Sequence, residues 1–119
     1  MKNKNLLLFR IITGLFSAMM LFSASMYFFN YDMVAATFTN LGFPTYIIYP
    51  LAIAKILGVI AIWSNKSAWL KEWAYAGFVF NTLLAASAHI GIEDGEFYAA
   101  VAGLTMVSIS YFLDKKLAR

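Results

Sequence analysis

The chain has 119 residues, of which 62% are hydrophobic and 13% charged, with a formal net charge of +3 and no cysteine. Soluble domains carry about 45–50% apolar and about 25% charged residues, so this chain has too few polar side chains to coat a small globule. That excludes an ordinary soluble enzyme. It also excludes disorder, which needs low hydrophobicity and high charge, and any disulfide, thiolate nucleophile or thiolate metal site.

Four apolar stretches follow one another along the chain. The first, residues 11–29, holds Thr13, Ser17, Ser23 and Ser25 as its polar residues, scattered rather than gathered on one wet face. A soluble amphipathic helix needs a charged face, so this is read as a transmembrane span. Its basic start and the small residues Ser23-Ala24-Ser25 resemble a secretory signal. The apolar run continues to Phe29, longer than the core of such a signal, and the segment is therefore expected to stay in the mature chain.

The link 30–45 is not an ordinary loop. Asp32 is placed to cap a short helix, and Gly42 followed by Pro44 to end it. Val34, Phe38 and Leu41 share one face, which predicts a short interfacial helix or a lid over the bundle. The plain alternative is a surface segment that packs Phe38 for stability. The second stretch, 46–63, carries Lys55 near its middle; the third, 73–92, carries Asn81 and His89; the fourth is 97–113. Each approaches the roughly 20 residues that cross about 30 Å of hydrocarbon at 1.5 Å per residue. No stretch alternates polar and apolar with period two, so a β-barrel is not expected.

The charges orient the spans. Lys2, Lys4 and Arg10 precede the first, Lys66 and Lys71 fall between the second and third, and Lys115, Lys116 and Arg119 follow the fourth. The other two links hold Asp32, Glu93, Asp94 and Glu96 and no basic residue. The positive-inside rule places both termini in the cytoplasm. Trp63, Trp69 and Trp73 mark the inner boundary and Tyr27, Tyr31, Tyr46, Tyr49 and Tyr98 the outer one. The predicted fold is all-α: a single domain over residues 1–119 with four transmembrane helices. Small residues four apart (Gly14 with Ala18, Ala54 with Gly58, Ala99 with Gly103) permit close helix contact, within the bundle or between subunits of a homo-oligomer.

Lys55 is the most informative residue. An amine at that depth costs at least about 2.5–3.5 kcal/mol unless it finds a partner or water. Lys55 lies eight residues from Trp63 and Asn81 eight from Trp73, so the two share a depth, and the amide oxygen of Asn81, or a ligand carbonyl, is the expected acceptor for Lys55. Asn81, Ala85 and His89 share a helix face. This predicts a polar pocket between the second and third spans, lined by Lys55, Asn81 and His89. Against it stands a structural assignment in which Lys55 snorkels, Asn81 glues helices and His89 meets outer water. A single histidine excludes bis-imidazole haem. No metal site, Gly-rich phosphate loop or nucleic-acid patch is expected, and Glu93, Asp94 and Glu96 read as a solvated acidic turn.

Gly42-Phe43-Pro44, Ala54-Lys55-Ile56-Leu57-Gly58, Lys71-Glu72-Trp73-Ala74-Tyr75-Ala76-Gly77 and Ser87-Ala88-His89 together resemble the DoxX-like family of small four-helix bacterial membrane proteins. The resemblance runs from about Arg10 to Tyr111 and implies an antiparallel four-helix bundle in the cytoplasmic membrane. The segment Ala24-Ser25-Met26-Tyr27-Phe28 lacks a second Lys that relatives often carry there. The family name comes from a subunit of a thiosulfate:quinone oxidoreductase. The resemblance therefore implies an accessory subunit that binds a quinone or another lipophilic molecule beside a redox partner protein, with no catalytic residue assigned. Lys55 or His89 would donate a hydrogen bond to a ligand carbonyl, and Tyr75 or Phe78 would flank the ring. A small homodimeric transporter is the alternative, but drug exporters of this size depend on a carboxylate inside a span, and none of the six acids lies in one. A structural subunit without ligand is the third possibility.

Overall fold

The basic start of the chain is helical. In the computed structural model, which describes residues 2–91 and 97–117, helix α1 spans Lys2–Phe29 and so begins well before the apolar stretch. Lys, Arg and Leu are good helix formers. Packing holds these first turns as well, with the buried Phe9 ring 6.3 Å from Trp63.

One residue separates α1 from α2 (Tyr31–Leu41). The Asn30 N–H closes the last turn of α1 on the Met26 carbonyl, and the Asn30 carbonyl accepts the Val34 N–H of α2. Asn30, not Asp32, is thus the residue preceding the helix; Asp32 lies in its first turn, where a carboxylate favours the helix dipole. The far end is a Schellman motif. Gly42 takes φ +85°, its N–H bonds the Thr39 carbonyl, and the Phe43 N–H reaches the Phe38 carbonyl at 2.8 Å. The Phe38 and Phe43 rings meet at 6.0 Å, the apolar contact that accompanies this motif.

A single 3₁₀ turn, Thr45–Ile47, leads into α3 (Ile48–Ser64). Pro50 is tolerated because its missing N–H falls in the first turn. Asn65 ends α3 in the left-handed region at φ 52°, a conformation that Asn accepts more readily than most residues. The Ser67 hydroxyl then accepts the Leu70 N–H at the start of α4 (Ala68–Gly91), and α5 runs Phe97–Lys116.

The four long helices close a ring: α1 packs on α3 and α5, and α4 packs on the same two. Neighbours run in opposite directions. Ser23 meets Lys55 while Ser17 meets Trp63, and Lys71 meets Asp114 while Tyr75 meets Ser110. At the end near residues 9, 75 and 113, a core of Phe9, Phe16, Phe78, Val107 and Leu113 fills the ring. Gly58 lets α3 and α4 approach closely there, since a Cβ on it would stand 2.7 Å from Phe78 Cζ. At the other end α2 packs Val34 and Phe38 against Ile48. The outer surface is apolar around the whole ring: Phe22 on α1, Leu57 on α3, Phe80 on α4 and Phe112 on α5 are all exposed. Two stretches, Asn3–Phe29 and Thr45–Ser64, are long and apolar enough to cross a membrane.

Candidate functional site

The buried residues of α3 are Ile48, Ala52, Lys55, Gly58, Val59 and Ile62. Lys55 therefore lies in the middle of the inward stripe of a 3.6-residue period, and it is only 6% exposed. Its Nζ donates to Ser23 Oγ at 2.7 Å and to Tyr27 Oη at 3.0 Å, and stands 4.2 Å from the centre of the Tyr27 ring. Ser23 and Tyr27 are four residues apart on α1, one above the other on one face. The Tyr27 ring is held edge-on by Phe38 of α2 at 5.5 Å.

The expected bond from Lys55 to Asn81 is not made. Residue counting fixes the depth of both groups, but α3 has neighbours on two sides, and Nζ turns toward the two hydroxyls of α1. An ammonium carries three N–H donors; two are used, and the third has no acceptor among the described residues. The half-buried Asn81 amide likewise has no hydrogen-bond partner among the described residues.

Lys55, Asn81 and His89 nevertheless line one cavity of about 500 Å³ beneath α2. Ala85 lines it as well, so the face of Asn81, Ala85 and His89 turns inward here. Val34, Phe38 and Leu41 of α2 form its roof, and Met19, Met26 and Leu51 are part of its apolar wall. A second, smaller recess of about 220 Å³ lies between α3 and α4 and also borders Lys55 and Asn81. Phe78 borders that recess, but its ring is committed to the core, edge-on to Phe16 at 5.1 Å. Tyr75 borders neither space. It is buried nearer the filled end, with its hydroxyl 2.8 Å from Ser110 Oγ, and so does not flank a ligand in this cavity.

The filled end holds polar groups of its own. Lys71, in the expected cytoplasmic link, is a buried residue of α4 paired with buried Asp114 of α5 at 3.1 and 3.2 Å. Asp114 lies just past the expected fourth span and yet is only 3% exposed. Thr13 bonds Ser110, which also meets Tyr75, so three hydroxyls link three helices. The spacing Lys71, Tyr75, Phe78, Thr82 is the inward stripe of α4; that periodicity is the signal by which Lys71 is recognisable as buried. At the rim, Glu72 pairs with Lys115 and accepts the Tyr111 hydroxyl at 3.0 Å. The bond from Lys115 holds the Glu72 carboxyl below its ordinary range, and Glu72 in turn raises Lys115.

The arrangement under α2 can bind. It offers an apolar space of the size of small-molecule sites, about 300–1,000 Å³, with a few convergent donors at its inner end. No curated protein and no solved structure matches the chain. The profile of the DoxX-like family matches residues 11–111, which include α2, α3, α4 and the full set of Lys55, Asn81 and His89. On that match, covering most of its length, the chain belongs to the DoxX-like family.

Proposed function

We propose that this DoxX-like protein is a four-span subunit of the cytoplasmic membrane, with both termini inside, that holds a lipophilic molecule under α2. The molecule presents an oxygen acceptor to Lys55, and a quinone is its redox-active form. The observation that carries this proposal is the cavity of about 500 Å³ that joins an apolar wall to the ammonium of Lys55. The apolar outer surface on α4 and α5 as well as α1 and α3 supports four spans. Trp69 and Trp73, exposed at the filled end with rings 4.7 Å apart, suit a membrane interface there. Lys55, Asn81 and His89 would hold and orient the ligand. A quinone, when bound, supplies two-electron, two-proton chemistry; a chain without cysteine leaves thiol chemistry to a partner protein.

Extraction of the full chain in mild detergent, followed by mass spectrometry of what co-purifies, tests the reading. The parent is expected to retain one lipophile and Lys55→Met to lose it. That variant is expected to be at least as stable as the parent, since it removes a buried charge and keeps the side-chain length. A variant that unfolds while its lipophile content per folded molecule stays unchanged would make Lys55 structural. No lipophile on the parent would leave a ligand-free subunit. For orientation, reporter fusions at Asn40 should read as external and at Asn65 as cytoplasmic; an external Asn65 overturns the topology.

A further inference from the structure

Among the described residues two lysines, Lys55 and Lys71, are buried, and the molecule treats them differently. Lys71 and Asp114 neutralise each other. Among the described residues, Lys55 has only neutral partners, two hydroxyl oxygens and the face of a ring. Each of them turns its negative end toward Nζ, as suits an ammonium. Among the described residues no carboxylate lines the cavity. Asp32 is on the surface, while Glu72 and Asp114 are engaged by Lys115 and Lys71 at the far end. A buried charge is costly without an opposite one, and the remaining donor of Lys55 is unused among the described residues.

We infer, resting on the reading of this cavity as a lipophile site, that its occupant carries a single anionic oxygen on an apolar body. The charge on Lys55 is completed by the ligand in the way that Lys71 is completed by Asp114. The Asn81 amide, which borders both spaces, adds a neutral donor beside it. The shape agrees with such a ligand. The smaller recess reaching Lys55 is an apolar groove between α3 and α4, where Trp73 and Phe78 stand beside the small residues Ala54 and Gly77, and the larger cavity reaches Lys55 as well. A long-chain carboxylate would lay its chain in the groove, whereas an acidic hydroxyquinone would place its ring in the larger cavity. The two share the anionic head, and that head is what Lys55 selects.

Two matched pairs test this on the full-length protein in nanodiscs of neutral lipid, at a pH where both acids are ionised. One pair is oleate and oleyl alcohol. The other is a 2-hydroxy-3-alkyl-1,4-naphthoquinone and its methyl ether. Charge-assisted hydrogen bonds are roughly twice as strong as neutral ones, so at least one anion should bind about tenfold or more tighter than its neutral twin. Lys55→Arg should keep that preference. Lys55→Met should lose it while still binding the neutral twin. A preference confined to one pair supports the inference and identifies the source of the head group. Neutral twins that bind as tightly as their anions, or a preference that survives Lys55→Met, would overturn the inference and leave the lipophile site standing. If none of the four binds, the lipophile site fails with it.

Discussion

The two ends of the helical ring are built from the same kinds of residue to opposite effect. Both contain a buried lysine, at least one tyrosine hydroxyl and a serine of a neighbouring helix. At the filled end these groups are closed on one another: Lys71 on Asp114, Tyr75 on Ser110, Ser110 on Thr13. Phe16, Phe78 and Val107 occupy the space beside them. At the end under α2, among the described residues, Lys55 is held but not neutralised, the Asn81 amide is open, and a cavity remains. The difference lies in arrangement rather than composition. A polar cluster that satisfies itself stabilises one packing, whereas one that stops short by a charge and a volume creates a place for another molecule.

That contrast can be broken most sharply at Lys71. Removing one partner of a buried ion pair leaves the other charge uncompensated, at a cost of about 3–5 kcal/mol. Lys71→Met should therefore lower the unfolding temperature in detergent substantially, and adding Asp114→Leu should restore most of the loss. A single variant as stable as the parent would show that the pair is not closed as described.

A smaller effect sharpens the same comparison by adding carbon to each end. Gly58→Ala puts a methyl 2.7 Å from a Phe78 ring that is itself fixed by Phe16, an overpacking worth about 1–3 kcal/mol. Ala85→Val adds two carbons to the wall of the cavity. It should leave stability within about 0.5 kcal/mol, as substitutions away from packed features do, while reducing the co-purified lipophile. Equal losses of stability at the two sites would mean that the second end is not hollow.

The weakest effect belongs to the exposed rim pair. Glu72 is shifted down by Lys115, so its contribution is complete above the unfolded carboxyl value near about 4.3 and fades as pH falls through its folded value. Lys115 is shifted up by Glu72, so its contribution is complete below the unfolded value near about 10.4 and fades as pH rises through its folded value. Between those limits the pair adds no pH dependence. Glu72→Gln should remove the acid-side slope of a thermal unfolding series and, because Lys115 loses the carboxylate that raises it, weaken the alkaline-side slope as well; a larger slope in the variant on either side would contradict the assignment.

Much of this was open to reading in the residues, and the failures share a cause. Hydropathy locates the long helices and depth counting brings Lys55 and Asn81 to one level. Periodicity turns Asn81, Ala85 and His89 to one side, and all three line the cavity. Gly42 and Val34 with Phe38 announce α2. What residue counting does not supply is azimuth. Ser23 and Tyr27 hold Lys55 because α1, not α4, faces Nζ, and a residue count along one helix carries no information about which neighbour it faces. Lys71 and Asp114 escape for a related reason. Each looks like an end-of-span charge when taken alone, and only the packing of α4 on α5 makes them a buried pair. Tyr75 is drawn away from the ligand space by Ser110, a residue thirty-five positions distant.

The hydroxyl contact between Thr13 and Ser110 spans 97 positions of sequence. The first helix thus meets a principal partner only when the last has been made. Lys71 likewise precedes Asp114 by 43 residues, several seconds of synthesis at about 5–20 residues per second. Throughout that interval the nascent chain carries an ammonium without its carboxylate and a threonine without its serine. The ring cannot be sealed from its N-terminal end, and a ribosome that stalls before residue 110 leaves a product whose most polar interior groups face unfinished surroundings.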